Sequence, residues 1–166
     1  MAAPGRSGRS GAVAERLAEL GIELPQVAAP LAAYVPAVVS GRYVYTSGQL
    51  PFVDGALPVT GKVGAGEGLV EPEEAARQAR TCALNALAAV QDVVGSLDRV
   101  ARVVKVVGFV ASDPSFTGHP AVVNGASTVL GEIFGAAGVH ARSAVGVAAL
   151  PMDAPVEVEI VVELTD

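Results

Sequence analysis

At 166 residues the chain has room for one ordinary domain, whose folding removes roughly two-thirds of the unfolded chain's surface from water. A formal charge of -6, with no basic patch interleaved with aromatics, excludes a surface built to neutralise phosphates, so no nucleic-acid partner is expected. Cys82 is the one cysteine and lacks metal-ligand spacing, and no apolar run is long enough for a signal segment or a bilayer span; a reducing cytoplasm without membrane association follows as the expectation.

Met1 to Gly11 is rich in Gly, Ser, Ala and Pro and has little to bury, which is the composition of a variable tail. Val13, Leu17 and Leu20 then predict a short amphipathic helix ended by Gly21, and Pro25 and Pro30 keep the next connection extended. Residues 1–30 therefore read as a variable extension with a short helix, and 31–166 as the single domain. The first strand runs from about Ala37 to Thr46 with Ser40-Gly41 as a turn or bulge; Val44 and Thr46 take one face, Tyr43 and Tyr45 the other. Asp54-Gly55 is a hairpin signal, and the Gly-rich stretch from Gly61 to Gly68 is an irregular loop suited to the border of a pocket.

Glu71-Pro72-Glu73-Glu74 opens a long helix, because proline tolerates the first turn and carboxylates complement its positive end. Its inner stripe reads Ala76, Ala79, Ala83, Leu87, Val90 and Val94, its outer side Arg77, Arg80, Gln91 and Asp92, and Gly95 ends it. A Val-rich buried strand from Val100 to Ala111, interrupted by Lys105, closes at Ser112-Asp113-Pro114. A second helix starts near Pro120 with Val123, Ser127, Leu130 and Phe134 inside and Gly135 and Gly138 as stops, and strands from His140 to Ala148 and Val156 to Leu164 complete the chain.

The order ββαβαββ predicts an α+β layer, two helices lying on one face of a mixed sheet. With 51% hydrophobic residues but only 4% aromatics, its core has to be built from small and β-branched side chains. The last strand sets Val156, Val158, Ile160 and Val162 on one face and Glu157, Glu159, Val161 and Glu163 on the other, while the other late strands stay apolar on both faces. The second sheet face needs a cover, and oligomerisation through the sheet is the simplest one.

Arg142 is the one cation, apart from His140, in the apolar run from Gly135 to Leu150. A guanidinium there needs an acceptor or an anion. Its fork binds a carboxylate through two parallel hydrogen bonds, so the partner is either an anionic small molecule or a structural glutamate, Glu157 or Glu159. Glu157 follows the Leu150-Pro151 turn, and a hairpin would bring it within one or two rungs of Arg142. There it either orients and activates a water or is simply a solvent-facing strand residue. His140 shares the face of Arg142, whereas His119, before a helix-start proline, reads as a cap or surface residue. Ser47 offers a hydroxyl and an amide to an anion, or marks only a turn. Neither a nucleophile elbow, a phosphate loop nor a dinucleotide fingerprint is present.

Taken in order, Ala33-Tyr34-Val35, Tyr45-Thr46-Ser47-Gly48-Gln49-Leu50-Pro51, Ala141-Arg142-Ser143, Leu150-Pro151 and Val156-Glu157-Val158-Glu159 resemble the YjgF family of reactive-intermediate deaminases, also labelled endoribonuclease L-PSP. The resemblance covers about Leu31 to Glu163. It implies a chorismate-mutase-like fold of the bacillary type, assembled as a homotrimer with pockets at the subunit interfaces, which would cover the sheet. It also implies hydrolysis of 2-imino or enamine acids to 2-keto acids and ammonia, with no metal or cofactor. By position, Arg142 matches the family arginine that clamps the substrate carboxylate and Glu157 the glutamate that positions the attacking water. Tyr34, Ser47, Gly48 and Asn124 match residues of the substrate pocket. Ala144 departs from the pattern, standing where many family deaminases carry a cysteine, and this bears on substrate preference more than on the anchor.

Three functions fit these residues unequally. A deaminase leads. A noncatalytic member that holds a small carboxylate as a sensor is the alternative, and RNA cleavage, suggested by the older family label, is opposed by the acidic charge and the lack of paired His or Lys for phosphate chemistry.

Overall fold

The computed structural model describes residues 11–27 and 33–166; most of the Gly-rich tail, together with Pro30, lies outside the described residues. The elements follow in the order α1 (Ala12–Glu19), β1 (Ala37–Ser40), β2 (Tyr43–Thr46), α2 (Pro72–Val94), β3 (Val100–Ala111), α3 (His119–Phe134), β4 (Ala141–Val147) and β5 (Val156–Leu164). The span from Ala37 to Thr46 is a hairpin rather than one strand: Gly41 turns the chain with φ 59, and Ala37 comes to lie opposite Thr46. Only a residue that tolerates positive φ makes such a turn cheaply. Asp54 and Gly55, with φ 50 and 82, form the expected tight turn, but it closes an isolated bridge between Val53 and Ala56 and no longer ladder.

The sheet order is β1-β2-β5-β3-β4. β3 and β4 are parallel, as a strand–helix–strand crossover through α3 requires, and the other pairings are antiparallel. This corrects the hairpin expected between the last two strands: β3 lies between β4 and β5. The connection that follows β4 is long enough to step past the end of β3, where Ala111 N–H donates to the Pro155 carbonyl. Met152 and Asp153, at φ 56 and 58, supply the bend.

Alternation decides what β5 faces. Val156, Val158, Ile160, Val162 and Leu164 are buried beneath the helices, and the residues between them face the open side. In α2 the predicted stripe is buried from Ala79 onward. Ala76 instead belongs to the helix–helix contact, where its carbonyl lies so close to Gly125 that a Cβ there would overlap it. The α3 stripe is wider than predicted: Val122, Val123, Ala126, Val129, Leu130 and Ile133 are buried, while Ser127 and Phe134 are only half-buried. A helix wedged between a second helix and a sheet has to be apolar on two flanks, and that turns Ser127 toward the edge of the sheet. α1 docks on the same body, burying Leu17 and donating the Val13 N–H to Asp98 Oδ1 at 2.9 Å. The far sheet face carries Val38, Tyr43, Tyr45 and Val145, all exposed.

Candidate active site

Arg142 lies opposite Val106, and Val106 lies opposite Ile160. Residues paired across strands share a face, so Arg142 points to the helix-covered side. Because β4 is the edge strand, the guanidinium meets the flank of α3 instead of the middle of the core. Pro120, Asn124 and Ser127 recur there at helical spacing and form one row. Arg142 Nη1 donates to Asn124 Oδ1 at 2.8 Å and to Ser127 Oγ at 3.2 Å, and Nη2 to the Pro120 carbonyl at 3.4 Å. Among the described residues Arg142 enters no ion pair. The salt bridge to Glu157 or Glu159 therefore does not form, and three neutral oxygens orient the cation while leaving its charge uncompensated.

His140, on the same face as predicted, continues this group. Its Nε2 lies 2.9 Å from Ser127 Oγ and its Nδ1 2.6 Å from the Gly138 carbonyl. Ala144, two residues beyond Arg142, lies opposite Gly108 on the helix side and packs against the core. His119 is neither cap nor free surface: Gly118 is the N-cap, and His119 Nε2 sits 3.0 Å from Ser112 Oγ with the Phe116 ring edge-on at 5.3 Å.

Glu157 belongs to a second group. Its partner Phe109 lies opposite Val145, which puts Glu157 on the open face, two strands and three rungs from Arg142. The strand spacing and rise then separate their Cα atoms by about 14 Å, on opposite sides of the sheet. Ser47, Gly48 and Gln49 run beside Glu157, held by paired backbone hydrogen bonds between Gln49 and Val158 of 2.8 and 3.0 Å. The approach is close: a Cβ on Gly48 would overlap Glu157 Oε1, so a larger residue there would push the carboxylate aside. Partial burial pushes the Glu157 carboxyl above its ordinary 4.5, and the neighbouring Glu159 adds to the shift. Glu157 is thus a half-buried carboxylate rather than a freely solvated one.

Ser47 does not hold its donors ready for an anion. Its hydroxyl donates to the Val35 carbonyl at 2.7 Å and its amide to the Pro36 carbonyl at 2.8 Å. It pins residues 35 and 36, next to Tyr34, whose side chain is exposed. Sequence reasoning missed the Pro120 carbonyl and the turn of Ser127 toward Arg142. The legible signal was the spacing from Pro120 to Asn124 to Ser127, which places a carbonyl, an amide and a hydroxyl along one helix flank. Among the described residues no three His, Cys, Asp or Glu side chains gather as a metal site, and no helix is long and apolar enough to cross a membrane.

A five-stranded mixed sheet, two helices on one face, an edge arginine clasped by the second helix and a glutamate on the opposite face define an α+β protein of the chorismate-mutase-like class. The family model described as "YjgF/chorismate_mutase-like, putative endoribonuclease" matches residues 14–164, and the chain belongs to this YjgF family. It is 49% identical over 158 residues to Protein TCP17 of Trypanosoma cruzi, covering 95% of this chain and 97% of that one. Among solved structures it is similar to Atu1372 of Agrobacterium tumefaciens, a protein described as of unknown function, with a TM-score of 0.84, 44% identity and 93% of each chain covered. A Shewanella oneidensis protein described as a "putative endoribonuclease" superposes with a TM-score of 0.86 at 34% identity, covering 92% of this chain and 99% of its own.

Proposed function

We propose that the chain is a cofactor-independent deaminase that hydrolyses reactive 2-imino or enamine acids to 2-keto acids and ammonia. The observation that carries the reading is Arg142, a half-buried guanidinium oriented by three neutral acceptors and, among the described residues, paired with no carboxylate. Such a fork takes a substrate carboxylate in two hydrogen bonds and so sets the adjacent imine carbon in place.

The reaction asks little else of the protein. Water adds across the C=N bond, giving a carbon that bears both hydroxyl and amine. The amine then leaves as ammonia while the hydroxyl proton is lost and the carbonyl forms. Glu157 supports the first step by accepting a proton from the water, and its raised pKa brings the base closer to neutral pH. Arg142 and Glu157 of one chain face opposite sides of the sheet, so the proposal includes a homotrimer in which the arginine edge of one subunit meets the glutamate face of the next. A heterologous contact of this kind closes into a ring and covers the exposed apolar face. Cytoplasmic residence belongs to the same proposal, and the buried free thiol of Cys82 fits a reducing compartment.

The test is keto-acid release from freshly generated 2-iminopropanoate. Pyruvate is expected to form faster with the purified protein than in buffer, and Arg142→Ala and Glu157→Gln are each expected to abolish most of the acceleration. Pyruvate binding without acceleration would leave a carboxylate-binding protein and remove the enzyme.

A further inference from the structure

We propose that His140 is a positioning residue for Arg142, acting through the hydroxyl of Ser127; the inference rests on the reading of Arg142 as a carboxylate clamp. The direction of every hydrogen bond in the group follows from its chemistry. A carbonyl only accepts, so the 2.6 Å contact between His140 Nδ1 and the Gly138 carbonyl places a proton on Nδ1. In the neutral ring Nε2 then carries a bare lone pair, and Ser127 Oγ, 2.9 Å away, donates to it. With its one proton directed at His140, Ser127 can offer Arg142 Nη1 only lone pairs, at 3.2 Å.

The consequence lies in the guanidinium's remaining edge. A serine hydroxyl without a fixed acceptor rotates, and in some rotamers it points its proton at whatever stands opposite. His140 removes that freedom and makes Ser127 a permanent acceptor. Asn124 Oδ1 takes the other bond from Nη1 at 2.8 Å. Nη1 is then fully used, and Nε with Nη2, the latter bound only by the long contact to Pro120, is the edge left for a carboxylate. The chain also starts from a fixed point: Gly138 is buried and wedged so tightly against the Leu130 carbonyl that a Cβ on it would overlap that oxygen. Donation runs toward that point, from Arg142 to Ser127 to His140 to the Gly138 carbonyl, each link strengthening the next.

The test uses the full chain with pyruvate as the probe, which separates binding from turnover. Nitrogen chemical shifts of the His140 ring in the wild-type protein are expected to show the neutral Nδ1–H tautomer; an Nε2–H tautomer overturns the proposal without any mutation. Ser127→Ala and His140→Leu are expected to weaken pyruvate binding roughly fivefold, the effect of one hydrogen bond. His140→Gln, whose amide oxygen can still accept from Ser127, is expected to restore affinity to within about twofold of wild type. Normal affinity in both Ser127→Ala and His140→Leu, or a His140→Gln no better than His140→Leu, overturns it. Arg142→Ala separates the two readings: if it leaves pyruvate affinity unchanged the clamp itself fails, whereas a loss there with none at Ser127 or His140 removes only the positioning role.

Discussion

Glu157 is held where ionisation costs more than it does in water, first by partial burial and then by the charge of Glu159. Its folded pKa therefore lies above the unfolded 4.5. As pH rises, the unfolded chain ionises this group first, so its effect on stability is neutral below both values and becomes a penalty as pH climbs through the folded pKa. Glu157→Gln is accordingly expected to melt higher than wild type at pH 7, the gap closing below about pH 4.5, as read by thermal unfolding across pH. Activity carries the same signature in the opposite sense. If ionised Glu157 is the base, kcat/KM falls on the acid side with a midpoint above 4.5, and Glu159→Gln moves that midpoint down because one source of repulsion is gone. An unmoved midpoint in Glu159→Gln would assign the acid limb to another group. Arg142 was visible in the sequence as a charge in an apolar run, whereas Glu157 sat in an ordinary alternating strand and stood out, like Ser47, only as part of a motif that carries the family resemblance. That Ser47 spends both donors on the backbone of residues 35 and 36 was not visible, since it depends on how that segment returns to β2.

At the scale of elements, α2 and α3 approach so closely that Gly125 has no room for a methyl group beside the Ala76 carbonyl. The obstacle is backbone, which cannot rotate away. Gly125→Ala is expected to part the helices and cost about 1–3 kcal/mol, seen as a fall in melting temperature of several degrees. Asn124 is the adjacent residue, so the same substitution is expected to weaken pyruvate binding through Arg142; a lower melting point with unchanged affinity would separate helix packing from the clamp. Helix limits and the alternating strand were legible because apolar periodicity reports burial directly. The neighbours of β4 were not. Adjacency in sequence suggested a β4–β5 hairpin, yet β5, with valines on one face and both edges hydrogen-bonded, lies between β2 and β3. Local pattern encodes which face is buried, and strand order is settled by crossover geometry and connection length. The α3 flank was misjudged for a related reason: a single-stripe template does not describe a helix packed on two sides.

For the whole molecule, the separation of Arg142 from Glu157 becomes a statement about assembly. The open face that carries Glu157 also exposes Val38, Tyr43, Tyr45 and Val145, and the arginine edge lies at β4. A closed ring of three chains is expected to give a sedimentation mass three times the 16.6 kDa of the chain. Mass alone does not show which residues share a site, but mixing defective subunits does. In a ring where each site takes Arg142 from one chain and Glu157 from its neighbour, a trimer containing both Arg142→Ala and Glu157→Gln chains always has one site with both residues intact. Random reassembly of equal amounts is therefore expected to recover about a quarter of wild-type activity from two nearly inactive parents. If each chain supplied both residues to its own site, no mixture would rise above its parents, because every site would still lack one group. Recovery would tie the catalytic pair to the subunit boundary and explain why one sheet carries its arginine and its glutamate on opposite faces.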